Sequence, residues 1–337
     1  MPPLVDLRSD TVTKPTAEMR KAMADAEVGD DVYGEDPTVN ALQEAFAERV
    51  GMDEALFVPS GTMGNQLALR LLTRPGASVI AGKRQHVVVY ENGAAGRNAA
   101  IQFHTVDDAD GTISPDDVAW ALAAAHHHYP RPGLVCIENT HMPADGAPWP
   151  LDAIKAVRAA AHDLPIHMDG ARLFHAEVAT GTSAKDYCAD VTTVMCCLSK
   201  GLCAPVGSLL AGPADVMREA RWERQRLGGG MRQAGVIAAA GLVALNTMVE
   251  RLADDHANAR RLAEAVADRW PDSIDPARVT TNVVTWSHPD AEQVLDYLRG
   301  EGVLAGTIAP GVLRLVTHHD VHDAGIEQAR AAIAGAP

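Results

Sequence analysis

The chain has 337 residues, of which 47% are hydrophobic, and its formal net charge is −15 at pH 7. A chain of this length can bury a large core, and the negative charge argues against nucleic-acid binding, which depends on clustered positive charge. Charges appear by residue 6, and no run of about 18 apolar residues occurs, so neither export nor membrane insertion is predicted, and we expect a cytoplasmic protein.

Short apolar runs alternate with helical patterns through the first two-thirds of the chain. Runs that are apolar on both faces and are separated by helices are typical of a mostly parallel sheet with helices on both faces. Residues 38–51 predict an amphipathic helix with Thr38 as its N-cap and Gly51 at its end. Residues 206–212 predict a strand that returns antiparallel. The apolar runs are residues 55–59, 78–81, 134–138, 164–169 and 191–198.

The pattern changes near residue 251. A long amphipathic helix over 251–270 is followed by strand candidates at 279–286 and 312–317. We therefore expect a large domain over residues 1–250 and a smaller α+β domain over 251–337.

The five cysteines include an adjacent pair and no C-x-x-C motif. This arrangement fits buried, reduced thiols better than disulfides or zinc ligands, and we assign no metal ligand. The cysteines are Cys136, Cys188, Cys196, Cys197 and Cys203.

Polar residues follow several of the predicted strands, at the sheet edge where ligands of open α/β folds collect. Ser60-Gly61-Thr62 precedes a helix, and this turn either binds an anion or only caps the helix. Asp169 ends a buried strand and either forms an internal salt bridge with Arg172 or faces a protonated ligand. Lys200 ends another strand and is either an ordinary surface lysine or a nucleophilic amine.

Taken together, these three groups suit one ligand that has a phosphate, a basic nitrogen and a carbonyl. Pyridoxal phosphate has all three. The glycine turn would bind its phosphate, Asp169 its ring nitrogen, and Lys200 its aldehyde as a Schiff base. The combination predicts this cofactor more strongly than any one of the groups does.

Several longer motifs identify a family. Over residues 6 to about 320 the sequence closely resembles the low-specificity L-threonine aldolases of the aspartate-aminotransferase-like (type I) pyridoxal phosphate fold. The resemblance implies a seven-stranded sheet and an enzyme that cleaves β-hydroxy-α-amino acids to glycine and an aldehyde. The motifs are DLRSDTVTKPT, VGDDVYGEDPTVN, PSGTMGNQ, ENTH, DGARLF, CLSKGL, APVGS, LGGGMRQAG and RLVTHHD.

The resemblance also implies roles for individual residues near the cofactor. Lys200 matches the Schiff-base lysine, Asp169 the partner of the pyridinium nitrogen, and Gly61 and Thr62 the phosphate-binding residues. Arg172 matches an arginine near the 3′-oxygen of the cofactor and the substrate carboxylate.

Ser9 and Arg314 match the rest of the site that binds the substrate carboxylate. His86 matches a histidine that lies over the cofactor ring, although without the family it would be taken for a half-buried strand residue. His128 matches by position a histidine near the substrate hydroxyl, and a surface histidine run is the alternative. Either histidine, or a water acting through it, is a candidate base for the hydroxyl proton.

Two further residues match a site shared between subunits, and the family implies a homotetramer of dimers. Tyr33 and Arg232 are the matching residues, with ordinary surface loops as the alternative for both segments. Gln225 stands where some members of the family have a lysine.

Two other functions remain open from the sequence. Another type I enzyme, a β-eliminating lyase or an aminotransferase, would share Asp169 and Lys200, and fold alone does not decide the reaction. A non-catalytic binding protein on the same fold is the alternative from a different class.

Overall fold

The structure is a computed structural model that describes residues 4–337. A seven-stranded sheet forms its centre, with the strands in the order β2-β8-β7-β6-β5-β3-β4. The described residues form twelve strands: β1 (Val5–Asp6), β2 (Glu54–Val58), β3 (Ser78–Gly82), β4 (Gln102–Val106), β5 (Pro132–Glu138), β6 (Ile166–Asp169), β7 (Thr193–Cys197), β8 (Ser208–Gly212), β9 (Val283–Ser287), β10 (Val303–Leu304), β11 (Gly306–Ala309) and β12 (Val312–Val316).

The helices follow the strands in alternation over most of the chain. Short 3₁₀ turns occur at Asp10–Val12, Asp31–Tyr33 and Pro276–Arg278. The α-helices of the described residues are α1 (Ala17–Ala24), α2 (Pro37–Val50), α3 (Gly61–Leu72), α4 (His86–Val89), α5 (Ala94–Asn98), α6 (Pro115–Ala123), α7 (Leu151–Ala161), α8 (Leu173–Thr180), α9 (Ala184–Cys188), α10 (Ala214–Arg226), α11 (Gly235–Thr247), α12 (Leu252–Arg269), α13 (Ala291–Gly300) and α14 (Asp323–Gly335).

The sheet confirms the predicted mixed topology. Strands β3 to β7 pair in parallel, and β8 runs antiparallel to both of its neighbours, as predicted for residues 206–212. Every residue of β3, β7 and β8 is buried, which explains why each strand is apolar after its first residue. The edge strand β4 has exposed and half-buried residues and carries no apolar run, so the sequence pattern missed it.

One predicted helix cap was wrong. Helix α2 begins at Pro37, and its N-cap is Asp36, whose Oδ1 accepts hydrogen bonds from the amides of Thr38 and Val39. Thr38 therefore lies inside the helix, because proline at the first helical position favours a cap one residue earlier. Gly51 ends the helix with a φ of 68°, as predicted.

A second core lies beneath the three-stranded sheet β11-β12-β9. Helices α12, α13 and α14 pack there, and β1 joins this part of the molecule by pairing with β10. Val5 and Leu7 are buried in the same core, whereas Leu252 at the start of α12 belongs to the core of the large sheet. The division of the chain into domains near residue 250 stays a prediction.

Two further expectations concern the cysteines and the membrane. All five cysteines are buried and unpaired. Within residues 4–337 no single helix combines the length and apolarity of a membrane span, and only α11 and α12 together, with a bend of 73°, meet those two criteria.

Candidate active site

A cavity of about 320 Å³ lies at the carboxyl ends of β2, β5, β6 and β7. Parallel strands bring the polar residues that follow them to this one edge of the sheet. Eight of the eleven residues predicted for the site line the cavity: Ser9, Gly61, Thr62, His86, Asp169, Arg172, Lys200 and Arg314.

The glycine turn forms the start of α3 beneath one wall of the cavity. Ser60 caps the helix by accepting a hydrogen bond from the amide of Met63 at 3.2 Å. A Cβ on Gly61 would lie 2.7 Å from Sγ of Cys197, so the chain passes too close to β7 for any other residue. The first amides of α3 thus border the cavity, where they and the helix dipole favour an anion.

Asp169 is the last residue of β6 and is 3% exposed. Its Oδ1 accepts a hydrogen bond from the amide of Ala171 at 3.0 Å, and its Oδ2 accepts one from Nδ2 of Asn65 at 2.8 Å. Both contacts are donors to the carboxylate oxygens and fix the orientation of the side chain, which suits a partner for a protonated ring nitrogen.

Lys200 follows β7, the strand next to β6, so its amine reaches the same cavity as Asp169. The hydroxyl of Thr13 donates to the backbone carbonyl of Lys200 at 2.9 Å. The N-terminal segment therefore stabilises the position of the backbone at Lys200.

Arg172 forms an ion pair that the sequence did not predict. Its Nε and Nη2 donate to the two carboxylate oxygens of Asp10 at 2.7 and 2.5 Å, so its partner is Asp10 and not Asp169. Burial alone would raise the pKa of Asp10, but the Arg172 guanidinium outweighs it and holds that pKa below its ordinary value. Arg172 also lines the cavity, so its guanidinium lies at the edge of the site.

Arg314 lies on β12, so a residue of the three-stranded sheet lines the cavity. Its Nη2 donates to the backbone carbonyl of Arg8 at 3.0 Å, while its Nε is buried without a partner among the described residues. Burial and the nearby Arg172 lower the pKa of Arg314, so Arg314 is a desolvated cation that an anion would stabilise.

His86 is the first residue of α4, not a strand residue, and its ring borders the cavity. Its Nδ1 lies 3.0 Å from Oε1 of Glu91, and its amide donates to Oε2 of Glu138 at 2.6 Å. Burial opposes protonation of His86, but the hydrogen bond to Glu91 and the charge of Asp169 raise its pKa above the ordinary value. The ring is thereby a group that can exchange a proton near neutral pH.

Three predicted residues lie outside the cavity of a single chain. His128 is exposed in the loop that precedes β5. The cavity lies at the other end of that strand, where Glu138 is. Tyr33 is 74% exposed, and Arg232 is exposed and pairs with Asp30 at 3.1 Å. The backbone carbonyl of Arg232 accepts a hydrogen bond from Asp31, so the segments of Tyr33 and Arg232 lie next to each other.

Comparison with known proteins decides the family. A model of the family described as beta-eliminating lyase matches residues 6–288, most of the chain. The chain belongs to the beta-eliminating lyase family.

Within this family the chain groups with threonine aldolases. The probable low-specificity L-threonine aldolase 2 of Arabidopsis thaliana is 42% identical over 334 residues, covering 96% of this chain and 94% of that protein. The low specificity L-threonine aldolase of Escherichia coli (strain K12) is also 42% identical, covering 94% and 95%. A solved threonine aldolase of Leishmania major shares the fold, with a TM-score of 0.84 at 20% identity and 98% coverage of both chains.

Sequence reasoning missed several residues of this beta-eliminating lyase site. Asp10 follows Ser9 directly, Asn65 stands one turn into α3, and Glu91 lies five residues after His86. Glu138 stands at the end of β5 and lines the cavity. Asp10, Asn65 and Glu138 occur in motifs already singled out, and Glu91 follows the predicted residue His86. Each of the four has at least one hydrogen-bond partner that is 26 or more positions away in the sequence.

Proposed function

We propose that this protein is a pyridoxal phosphate-dependent carbon–carbon lyase that cleaves L-threonine, L-allo-threonine and related β-hydroxy-α-amino acids to glycine and an aldehyde. One observation carries the proposal. Gly61, Asp169 and Lys200, which follow three different strands, line a single cavity together with two arginines. The family and its named relatives support the same reaction.

The residues of the cavity fit the cofactor. The start of α3, where only glycine fits at residue 61, would hold the phosphate, and Asp169 would hold the proton on the ring nitrogen. Lys200 would carry the cofactor as a Schiff base before substrate arrives. When bound, pyridoxal phosphate supplies the electron sink into which the electrons of the breaking Cα–Cβ bond flow.

The arginines orient the substrate. Arg314 and Arg172, with the hydroxyl of Ser9, would bind the α-carboxylate, and guanidinium geometry suits such a contact. A substrate held at its carboxylate and its amine has little freedom to rotate, so the two arginines would decide which bond at Cα is placed for cleavage.

A base must remove the proton of the β-hydroxyl as the aldehyde leaves. His86 borders the cavity and its raised pKa suits proton exchange, so we assign the step to His86 or to a water that it binds. His128 would reach the substrate hydroxyl only from a neighbouring subunit.

The assembly follows from the same residues. We infer a cytoplasmic homotetramer built from dimers, in which Tyr33 and Arg232 of one subunit complete the cofactor site of another. The exposure of Tyr33 and Arg232 on adjacent segments of a single chain supports this inference. Two-fold dimers make such an exchange reciprocal.

The test of the function is glycine release from L-threonine, L-allo-threonine and L-phenylserine by purified protein. We expect glycine from β-hydroxy substrates and a visible absorption band that borohydride removes. Conversion of the cofactor to its amine form by an amino donor as the main reaction would instead indicate an aminotransferase. Protein that takes up no pyridoxal phosphate would indicate a non-catalytic binding protein.

A further inference from the structure

A hydrogen-bond chain of buried polar side chains runs from Asp169 through Asn65, at the cavity wall, into the core. Oγ1 of Thr193 lies 2.9 Å from Nδ1 of His167, and Nε2 of His167 lies 3.0 Å from Oδ1 of Asn65. Nδ2 of Asn65 donates to Oδ2 of Asp169 and to Oε1 of Glu91, both at 2.8 Å. Thr193, His167 and Asn65 have no exposed surface, so no solvent takes the place of these contacts.

The donor and acceptor groups of these side chains allow hydrogen-bond donation in only one direction. Asn65 must turn its NH₂ group toward Asp169 and Glu91, because its carbonyl oxygen there would face two carboxylates. Its Oδ1 then faces His167, so Nε2 of His167 must be the donor.

The same reasoning assigns the donor and the acceptor in the hydrogen bond between His167 and Thr193. A neutral imidazole carries one N–H group, so Nδ1 of His167 is an acceptor and the hydroxyl of Thr193 donates to it. Burial lowers the pKa of His167 to about 4, which keeps the ring neutral near pH 7. Donation therefore runs from Thr193 through His167 and Asn65 to Asp169 without adding a charge.

We propose that His167 is a positioning residue for the cofactor site: as the Nε2–H tautomer it orients the amide of Asn65, which holds the carboxylate of Asp169 in place as an acceptor for the ring nitrogen. This inference rests on the proposed function, because it assigns Asp169 to pyridoxal phosphate. The same amide also contacts Glu91, the partner of His86, so one side chain contacts both Asp169 and the carboxylate that holds His86.

Two variants of His167 distinguish its role as a hydrogen-bond donor to Asn65 from the packing of its ring. The amide nitrogen of glutamine reaches the position of Nε2, whereas that of asparagine reaches only the position of Nδ1. His167→Asn therefore removes the donor to Asn65, and His167→Gln retains it. The two variants share the loss of the ring, so packing effects common to both cancel in the comparison.

The measurements are the Kd of pyridoxal phosphate for cofactor-depleted protein and the kcat and KM of glycine release. We expect His167→Asn to weaken cofactor binding and lower kcat by roughly tenfold each, because Oδ1 of Asn65 is then buried without its donor. KM should change little, and His167→Gln should recover most of the loss. Equal values for the two variants would overturn the proposal.

Neutron diffraction of the deuterated wild-type protein tests the tautomer without any substitution. Deuterium on Nε2 of His167, and none on Nδ1, is the expected result, and deuterium on Nδ1 alone would overturn the proposal. A wild-type protein that binds no pyridoxal phosphate and releases no glycine would refute the proposed function instead. A wild type that does both, with equal His167 variants, would refute this inference alone.

Discussion

Lys200 is the residue on which the proposed chemistry depends most directly, because only an ε-amine at that point of the cavity can attach the cofactor. We expect Lys200→Ala to abolish covalent attachment and to reduce turnover to a trace. Borohydride reduction followed by peptide mass spectrometry measures the attachment, and glycine release measures the turnover.

The matched control is Lys155→Ala, which removes an exposed lysine of α7. This variant should keep both the attachment and the activity of the wild type. Substantial turnover by pure Lys200→Ala protein would mean that another lysine carries the cofactor.

The pair between Asp10 and Arg172 allows a prediction about stability. Asp10→Asn leaves the buried Arg172 without its counter-ion, and removing one partner of a buried pair costs about 3 kcal/mol. Urea unfolding should show this loss as a lower midpoint with an unchanged slope. Asp25→Asn breaks the exposed pair with Lys21 and serves as the control, with no measurable change expected.

The pH dependence of that loss has a definite sign. Because folding lowers the pKa of Asp10, the stability from its ionised form is present above the unfolded pKa of about 3.9 and is lost as the pH falls further. The difference between wild type and Asp10→Asn should therefore be largest near neutral pH and shrink below about pH 4. A difference that stayed constant down to pH 2 would contradict the ion pair.

Helix α3 and strand β7 meet at Gly61, and their close approach leads to a prediction about these elements. In Gly61→Ala the new methyl would overlap Sγ of Cys197 and press on Met195, so the start of α3 must move away from β7. We expect a loss of about 1–3 kcal/mol in unfolding free energy, typical of overpacking. Cofactor binding should weaken as well, because the amides that would hold the phosphate move with the helix.

Gly300→Ala is the control for this effect. Gly300 ends α13, and a Cβ there meets no atom within 4 Å. This substitution should leave stability unchanged or raise it slightly, because alanine restricts the unfolded chain more than glycine does. If Gly61→Ala were as stable as Gly300→Ala and bound cofactor normally, the tight contact with β7 would have no functional consequence.

The assembly of the whole molecule can be tested with two inactive variants. Lys200→Ala removes the lysine of a subunit's own site. Arg232→Ala removes the arginine that the subunit would contribute to the site of its neighbour. When the two are mixed and reassembled, some sites combine an intact lysine with an intact arginine, so part of the activity should return. Sedimentation and glycine release measure assembly and activity; hybrids that form without any activity would rule out the shared site.

Sequence patterns predicted the elements that are buried throughout. The strands around residues 55, 135, 166 and 195 were visible because both of their faces are covered, which favours apolar residues at successive positions. Strand β4 was missed because an edge strand with exposed residues carries no such constraint. The N-cap of α2 was misplaced by two residues, since Thr38 and Asp36 can both cap a helix and only the position of Pro37 decides between them.

The sequence by itself determined the parallel sheet, the cofactor class and the residues that follow the strand ends, because these depend on local periodicity and on motifs within a few residues. Only the tertiary structure decided which polar groups meet. Arg172 pairs with Asp10 rather than with Asp169, and Asn65 connects Asp169, Glu91 and His167. Such contacts join residues that are 26 to 162 positions apart, and no local pattern records a hydrogen bond made across the core.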